Sequence, residues 1–385
     1  MAKVLKASVM LRSCRLAGWG MPEARGDILV GSQITIASSL GRTGSAIAVD
    51  CGNLYAIPCT ANMLVYGALA SRGYVPESME RMLEDALSTR PPGRRSLERL
   101  LHAGLEHANC FFLDVEPGGH EAVVEAARSL GVQLWLGMAV WGLEDAVKRL
   151  DSLEGLSRLL DGRGRVGLVV HEPMEHLDSA QLLARSLPAH SFLALYASYS
   201  RSQLYKSRSR YGAYPVELLE ARGLLGENSI LACSGWIASW EIGLAGRRKT
   251  SIVDCPTVSA TASTGSLLPY SSLLASGVRL GLGTLSLPVP DVLEEARLAL
   301  ALQRHYLGDK RVTPGLVLSI ASTNPLHPAT SPPGVALVEP VYDKLDEWMI
   351  LSRAYRVLAV ATTKPALILL DEKVESLLVG EDKAE

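Results

Sequence analysis

The feature that most limits how this chain can fold is a rhythm. From about residue 60 it repeats an apolar run, a loop and an amphipathic stretch. The runs ANCFFLDV, QLWLGMAV, VGLVVHE, FLALYAS, SILACSG, TSIVDCP and VRLGLG are apolar throughout, as strands buried on both faces are. Between them lie helix-like stretches such as GGHEAVVEAARSLG, SAQLLARSLP, YPVELLEARGLLG and PYSSLLASG. With one more strand near residues 57–66, the pattern makes eight strand-helix units in about 250 residues, matching an α/β (β/α)8 TIM-type barrel. An open doubly wound sheet is the rival reading.

The ends of the chain are built differently. VLKASVML, DILVGSQITIAS and AIAVDCGNLYAI read as short strands divided by Gly-rich turns, and RVLAVATTKPALILLDEKVESLLVG returns to short strands after a Pro-rich stretch. We therefore expect a composite β-sandwich from residues 1–55 plus 330–385, with the barrel at 56–329 inserted between them. At 385 residues, 48% hydrophobic and 20% charged, the chain can bury a large core and should fold as a soluble protein. A net charge of −2 without charged blocks gives no sign of nucleic acid or of an anionic membrane as partner. The N-terminus lacks a continuous apolar run with a small-residue cleavage site, and no segment has 18 uninterrupted apolar residues, so the expected location is cytoplasmic. The six cysteines contain no CxxC pair and read as buried free thiols. Asn and Gln together number only ten, a scarcity that fits a thermophile and reopens intracellular disulfides.

Four ordered motifs carry a resemblance to a known family. YGAYPVELLEARGLLGENSILAC, SIVDCPTVSA, SGVRLGLGTLS and EEARLALALQ resemble, in order and spacing, motifs of the amidohydrolase superfamily in its chlorohydrolase and hydrolytic deaminase branch. DILVGSQITIA and IPCTAN are weaker echoes that extend the likeness over nearly the whole chain. The resemblance implies a barrel whose C-terminal mouth holds zinc or iron on a His-x-His pair, two further His and an Asp. Such a metal lowers the pKa of bound water from 15.7 to about 7 and makes a hydroxide nucleophile.

Here those ligand positions fall on Leu64, Tyr66, Tyr196, Cys233 and Leu285. Register errors cannot rescue the His-x-His pair, because no His precedes His102. Of the five, only Cys233 is a good soft-metal ligand, and a tyrosinate would need its pKa pulled well below 10. The expectation is therefore no metal and no other cofactor. Tyr199 stands where the family has a Glu, and Asp254 where its "HCP" motif has a His.

Other polar residues at strand ends remain as pocket candidates. His171 and Glu172 close the fourth barrel strand and could transfer protons, or could simply bond a neighbouring loop. Asp114 and Glu116 close the second, with loop capping as the plainer role. Asp254 follows the seventh strand, where an arginine could pair with it. Cys233 and Ser234 beside His171 could form a nucleophile pair, although a buried thiol is the commoner case. The run SYSRSQLYKSRSRYGAYP interleaves Arg201, Lys206, Arg208 and Arg210 with Tyr199, Tyr205, Tyr211 and Tyr214, and reads as a solvated or subunit-facing surface. Gly281 and Gly283 in GLGT are better explained by packing than by phosphate binding.

The leading functional expectation is an amidohydrolase-like protein that is non-catalytic or repurposed for binding, scaffolding or regulation. The alternative is a divergent hydrolase or deaminase of C–N bonds in a cyclic or amidine substrate, with an altered or absent metal site. A small molecule in the barrel mouth and a homodimer or other oligomer are the expected partners.

Overall fold

A computed structural model describes residues 9–19, 25–30, 34–41, 47–52, 54–70, 77–88, 93–105, 110–115, 119–130, 133–140, 143–160, 162, 164–287, 289–326, 334–338, 367–370 and 377–378. Strands β1 (Val9–Leu16), β2 (Arg25–Val30), β3 (Ile34–Ala37), β4 (Ile47–Asp50) and β5 (Tyr55–Pro58) come from the N-terminal end. β6 (Ala61–Tyr66), β7 (Cys110–Val115), β8 (Gln133–Val140), β9 (Gly164–Val170), β10 (Phe192–Tyr196), β11 (Ser229–Ala232), β12 (Ser251–Asp254) and β13 (Arg279–Leu282) alternate with helices. β14 (Gly334–Val338), β15 (Leu367–Leu370) and β16 (Leu377–Leu378) follow.

β6 to β13 form a closed parallel barrel. What excludes the open sheet is the contact of its first and last strands. Leu282 on β13 pairs with Asn62 on β6, and buried Asn62 donates from Nδ2 to Thr284 Oγ1 at 2.8 Å while its Oδ1 accepts Thr284 N–H at 3.2 Å. The continuous apolar runs are explained by burial on both faces. Phe192, Ala194 and Tyr196 join Ala61, Met63, Tyr66, Val169, Ile230, Ala232 and Val253 in the barrel interior. Their neighbours Leu193, Leu195, Leu168, Val170, Leu231 and Ile252 belong to the separate core that also takes in the helices. Enclosing each of the larger side chains is worth roughly 1.5–3 kcal/mol.

Gly283 is required by a close approach. A Cβ there would stand 2.6 Å from Leu64 Cβ and 2.8 Å from Leu64 N, so packing accounts for this glycine.

The remaining strands make one eight-stranded sheet from both ends of the chain, in the order β16-β15-β14-β5-β1-β2-β3 with β4 paired to β1. Antiparallel pairing of Val335–Val338 with Tyr55–Pro58 joins the two ends. The sheet therefore runs through Pro58, slightly beyond the expected boundary at residue 55, because β5 bonds β14 and β1 before the chain enters the barrel at Ala61. Cys14 and Cys51 form a disulfide, with Cα atoms 5.0 Å apart. This corrects the reading of all six cysteines as free thiols. The parallel register Arg12↔Asp50 brings the middle of β1 beside the end of β4, a contact invisible in cysteine spacing. Cys59, Cys233 and Cys255 are buried and not disulfide-bonded.

The basic-aromatic run forms the helix Arg201–Tyr211, which starts with Ser200 Oγ accepting Gln203 N–H and ends at left-handed Gly212. Its arginines lie over its own tyrosines: Arg201 over Tyr205, Arg208 over Tyr214 and Arg210 over Tyr211. Among the described residues no helix is long and apolar enough to cross a membrane.

Candidate active site

At the C-terminal mouth of the barrel, backbone geometry gathers the positions singled out in the sequence. Leu285 N–H donates to Leu64 O at 2.8 Å, and Tyr66 N–H donates to Leu285 O at 2.7 Å. Three of the five positions are thus contiguous, with Tyr196 and Cys233 closing the neighbouring strands β10 and β11. All five side chains are buried and belong to the interior cluster.

The side chains do not supply what a divalent metal needs. Leu64 and Leu285 have no lone pairs to donate. Burial and the adjacent Asp114 push the Tyr196 phenol well above its usual range, the reverse of what a tyrosinate ligand requires. Among the described residues no group of three or more His, Cys, Asp or Glu side chains could hold a metal ion. The donor set does not fit zinc or iron in the arrangement that the resemblance implies.

What the mouth holds instead is a polar group enclosed by apolar and aromatic walls. His171 Nε2 lies 2.7 Å from Asp114 Oδ2, and Tyr196 Oη–H donates to the same oxygen at 3.1 Å. All three are fully buried. The His171 ring stacks on Tyr196, centroids 5.0 Å apart, and meets Tyr66 edge-on at 5.7 Å. Among the described residues Asp114 Oδ1 has no hydrogen-bond partner. Because Oδ2 receives both donors, Asp114 fixes which His171 nitrogen carries the proton and how the ring faces.

Glu172 lies at the rim, where Tyr199 Oη–H donates to its Oε1. Burial raises the Glu172 pKa, an effect that the Tyr199 hydrogen bond partly offsets. Gln203, not singled out in the sequence, ties this edge together. Its Oε1 accepts Ser198 N–H at 2.6 Å and its Nε2 donates to Tyr196 O at 3.0 Å. Glu116 lies outside the described residues.

Asp254 is not brought into the mouth. It follows inward-facing Val253 and precedes inward-facing Cys255, so strand alternation turns it toward the helices. There Tyr270 Oη–H donates to its Oδ2 at 2.8 Å, and no arginine forms an ion pair with it among the described residues. Burial pushes its pKa up to about 6. Nearby Glu295, in the EEARLALALQ motif, accepts Thr257 N–H at 2.9 Å and is pushed up to about 8, chiefly by burial. Nor do Cys233 and His171 form a hydrogen-bonded nucleophile-base pair among the described residues: His171 Nε2 lies against Asp114 instead.

Ser198, Cys233 and Leu285 hold positive φ angles of 57°, 55° and 48° at the ends of β10, β11 and β13. Each such non-glycine residue costs on the order of 1–3 kcal/mol, and such strain clusters at functional sites. The mouth thus has a constrained backbone at three of its strand ends.

No protein-family model matches the chain. Over 214 residues it is 29% identical to 5-methylthioadenosine/S-adenosylhomocysteine deaminase 2 of Archaeoglobus fulgidus, covering 52% of this chain and 51% of the relative. Over 292 residues it is 25% identical to the 5-methylthioadenosine/S-adenosylhomocysteine deaminase of Moorella thermoacetica, covering 69% and 66%. The resemblance is to hydrolytic deaminases of the amidohydrolase superfamily. The chain spans about half to two thirds of the length of these two curated relatives. The same fold is found in the zinc-bound adenosine deaminase of Xanthomonas campestris, with a TM-score of 0.78, 13% identity and coverage of 95% and 92%. The zinc complex of atrazine chlorohydrolase from Arthrobacter aurescens gives a TM-score of 0.79 at 17% identity, covering 98% and 97%. At these identities the two structures establish the (β/α)8 fold, and the likeness to deaminases rests on the sequence relatives.

Proposed function

We propose that this protein is a divergent hydrolase of the deaminase type, acting on a C–N bond of a cyclic or amidine substrate through a site altered from the metal-bearing one. The observation that carries this reading is the buried His171–Asp114–Tyr196 group at the barrel mouth, where (β/α)8 enzymes keep their chemistry. With Nε2–H held by Asp114, Nδ1 is the basic nitrogen of the ring, as a general base requires. In this reading His171 takes a proton from water as its oxygen attacks the amidine carbon. It returns the proton to the departing nitrogen as the C–N bond breaks, leaving a carbonyl and ammonia. Asp114 supports the imidazolium formed between the two steps. Substrate entry requires the mouth to open, since all three side chains are enclosed.

The relatives' names support aminated purine nucleosides as the first substrates to try. The assay is ammonia release from 5′-methylthioadenosine, adenosine and guanine at elevated temperature, with and without a strong chelator. Turnover that survives the chelator and is lost in His171→Ala is the expected result. Turnover abolished by the chelator and restored by zinc would refute the altered site.

A second, non-catalytic reading is favoured by one observation: Leu64 and Leu285 fill two of the ligand positions with fully buried apolar side chains. It expects nucleoside binding by calorimetry with no ammonia released by folded protein. The relatives, named as enzymes, favour the first reading. We also place the protein in the cytoplasm, which fractionation of the source cells would check.

A further inference from the structure

We propose that Cys233 and Cys255 form a two-coordinate site for a soft monovalent metal ion, of which Cu(I) is the test case. The inference does not depend on the catalytic reading above.

The two residues leave adjacent parallel strands side by side. Ala232↔Val253 is the last register pair of β11 and β12, and Cys233 N–H donates to Val253 O at 3.0 Å. Simple alternation would turn Cys233 away from the barrel, because Ala232 before it already faces inward. Its positive φ of 55° breaks that alternation, and a non-glycine residue keeps such a conformation only where its surroundings enforce it. Both side chains consequently lie in the interior cluster, buried and outside any disulfide.

The donor chemistry then selects the ion. No third His, Cys, Asp or Glu completes a cluster among the described residues. That excludes a structural zinc site, which takes four ligands, and hard cations, which take six or more oxygens. A soft d10 monovalent ion favours thiolate and is satisfied by two sulfurs. Cys233 and Cys255 share the apolar interior cluster with Ala232, Val253, Val258 and Tyr196. Binding is an exchange: Cu⁺ replaces two S–H protons, forming two Cu–S bonds and releasing two H⁺.

The test uses the full chain with its Cys14–Cys51 disulfide intact, titrated anaerobically with Cu(I) against a chromogenic Cu(I) chelator. One equivalent held against the chelator, with a copper absorption fine structure of two sulfur neighbours, is the expected result. Cys233→Ser and Cys255→Ser should each lower the retained copper at least tenfold, and Cys59→Ser should leave it unchanged. No retained copper, retention unaffected by either substitution, or a first shell of three or more ligands would overturn the proposal. The absorption measurement on the unsubstituted protein decides the matter even if a variant fails to fold.

Discussion

Replacing Glu295 by Gln should make the protein more stable in alkaline buffer and leave it nearly unchanged in acid. In the folded chain burial pushes this carboxyl from about 4.5 up to about 8. Folded protein thus holds a proton between those values that the unfolded chain has released. Stability is highest below the unfolded value and falls as pH rises, levelling off once the folded group ionises near pH 8. A gap of three to four pH units at about 1.4 kcal/mol each amounts to roughly 5 kcal/mol lost between pH 4.5 and 8 or above. Glutamine keeps an oxygen to accept the Thr257 N–H and carries no charge to ionise. Scanning calorimetry at pH 5, 7 and 9 should show the melting temperature of the natural chain falling relative to E295Q, with a gap of several degrees at pH 9. Parallel pH profiles for the two proteins would refute the assignment. Asp254, pushed up to about 6 in the same layer, adds a smaller decline between pH 4 and 6, which Asp254→Asn should remove.

Reducing the Cys14–Cys51 bond, or replacing both residues by Ala, should destabilise the terminal sheet. Closing a loop of sequence separation 37 is worth about 4 kcal/mol by chain entropy, and an unchanged melting temperature after verified reduction would contradict it. We also propose that the chain is a homodimer or larger oligomer, so light scattering should return at least twice the 41.3 kDa chain mass. A monomer at micromolar concentration would refute this.

The sequence by itself determined a parallel sheet covered on both faces, and the pairing of β13 with β6 decided for the closed barrel over the open sheet. Runs such as FLALY are apolar on both faces, and only a sheet covered on both sides buries them. The motif spacing also located Leu64, Tyr66 and Leu285, which the backbone does bring together. Tertiary structure alone decided which side chains meet. Asp114 and His171 are 57 residues apart, on β7 and at the end of β9, with β8 between them. Their contact exists because side chains of non-adjacent strands cross the same interior layer. Asp254 was misplaced for a related reason. A strand's alternation gives two faces, but which is inward follows from barrel closure, and that turned its carboxylate to Tyr270. Cys233 shows the limit most directly: its left-handed backbone turns it into the interior cluster that also holds Cys255, and local sequence carries no sign of that conformation.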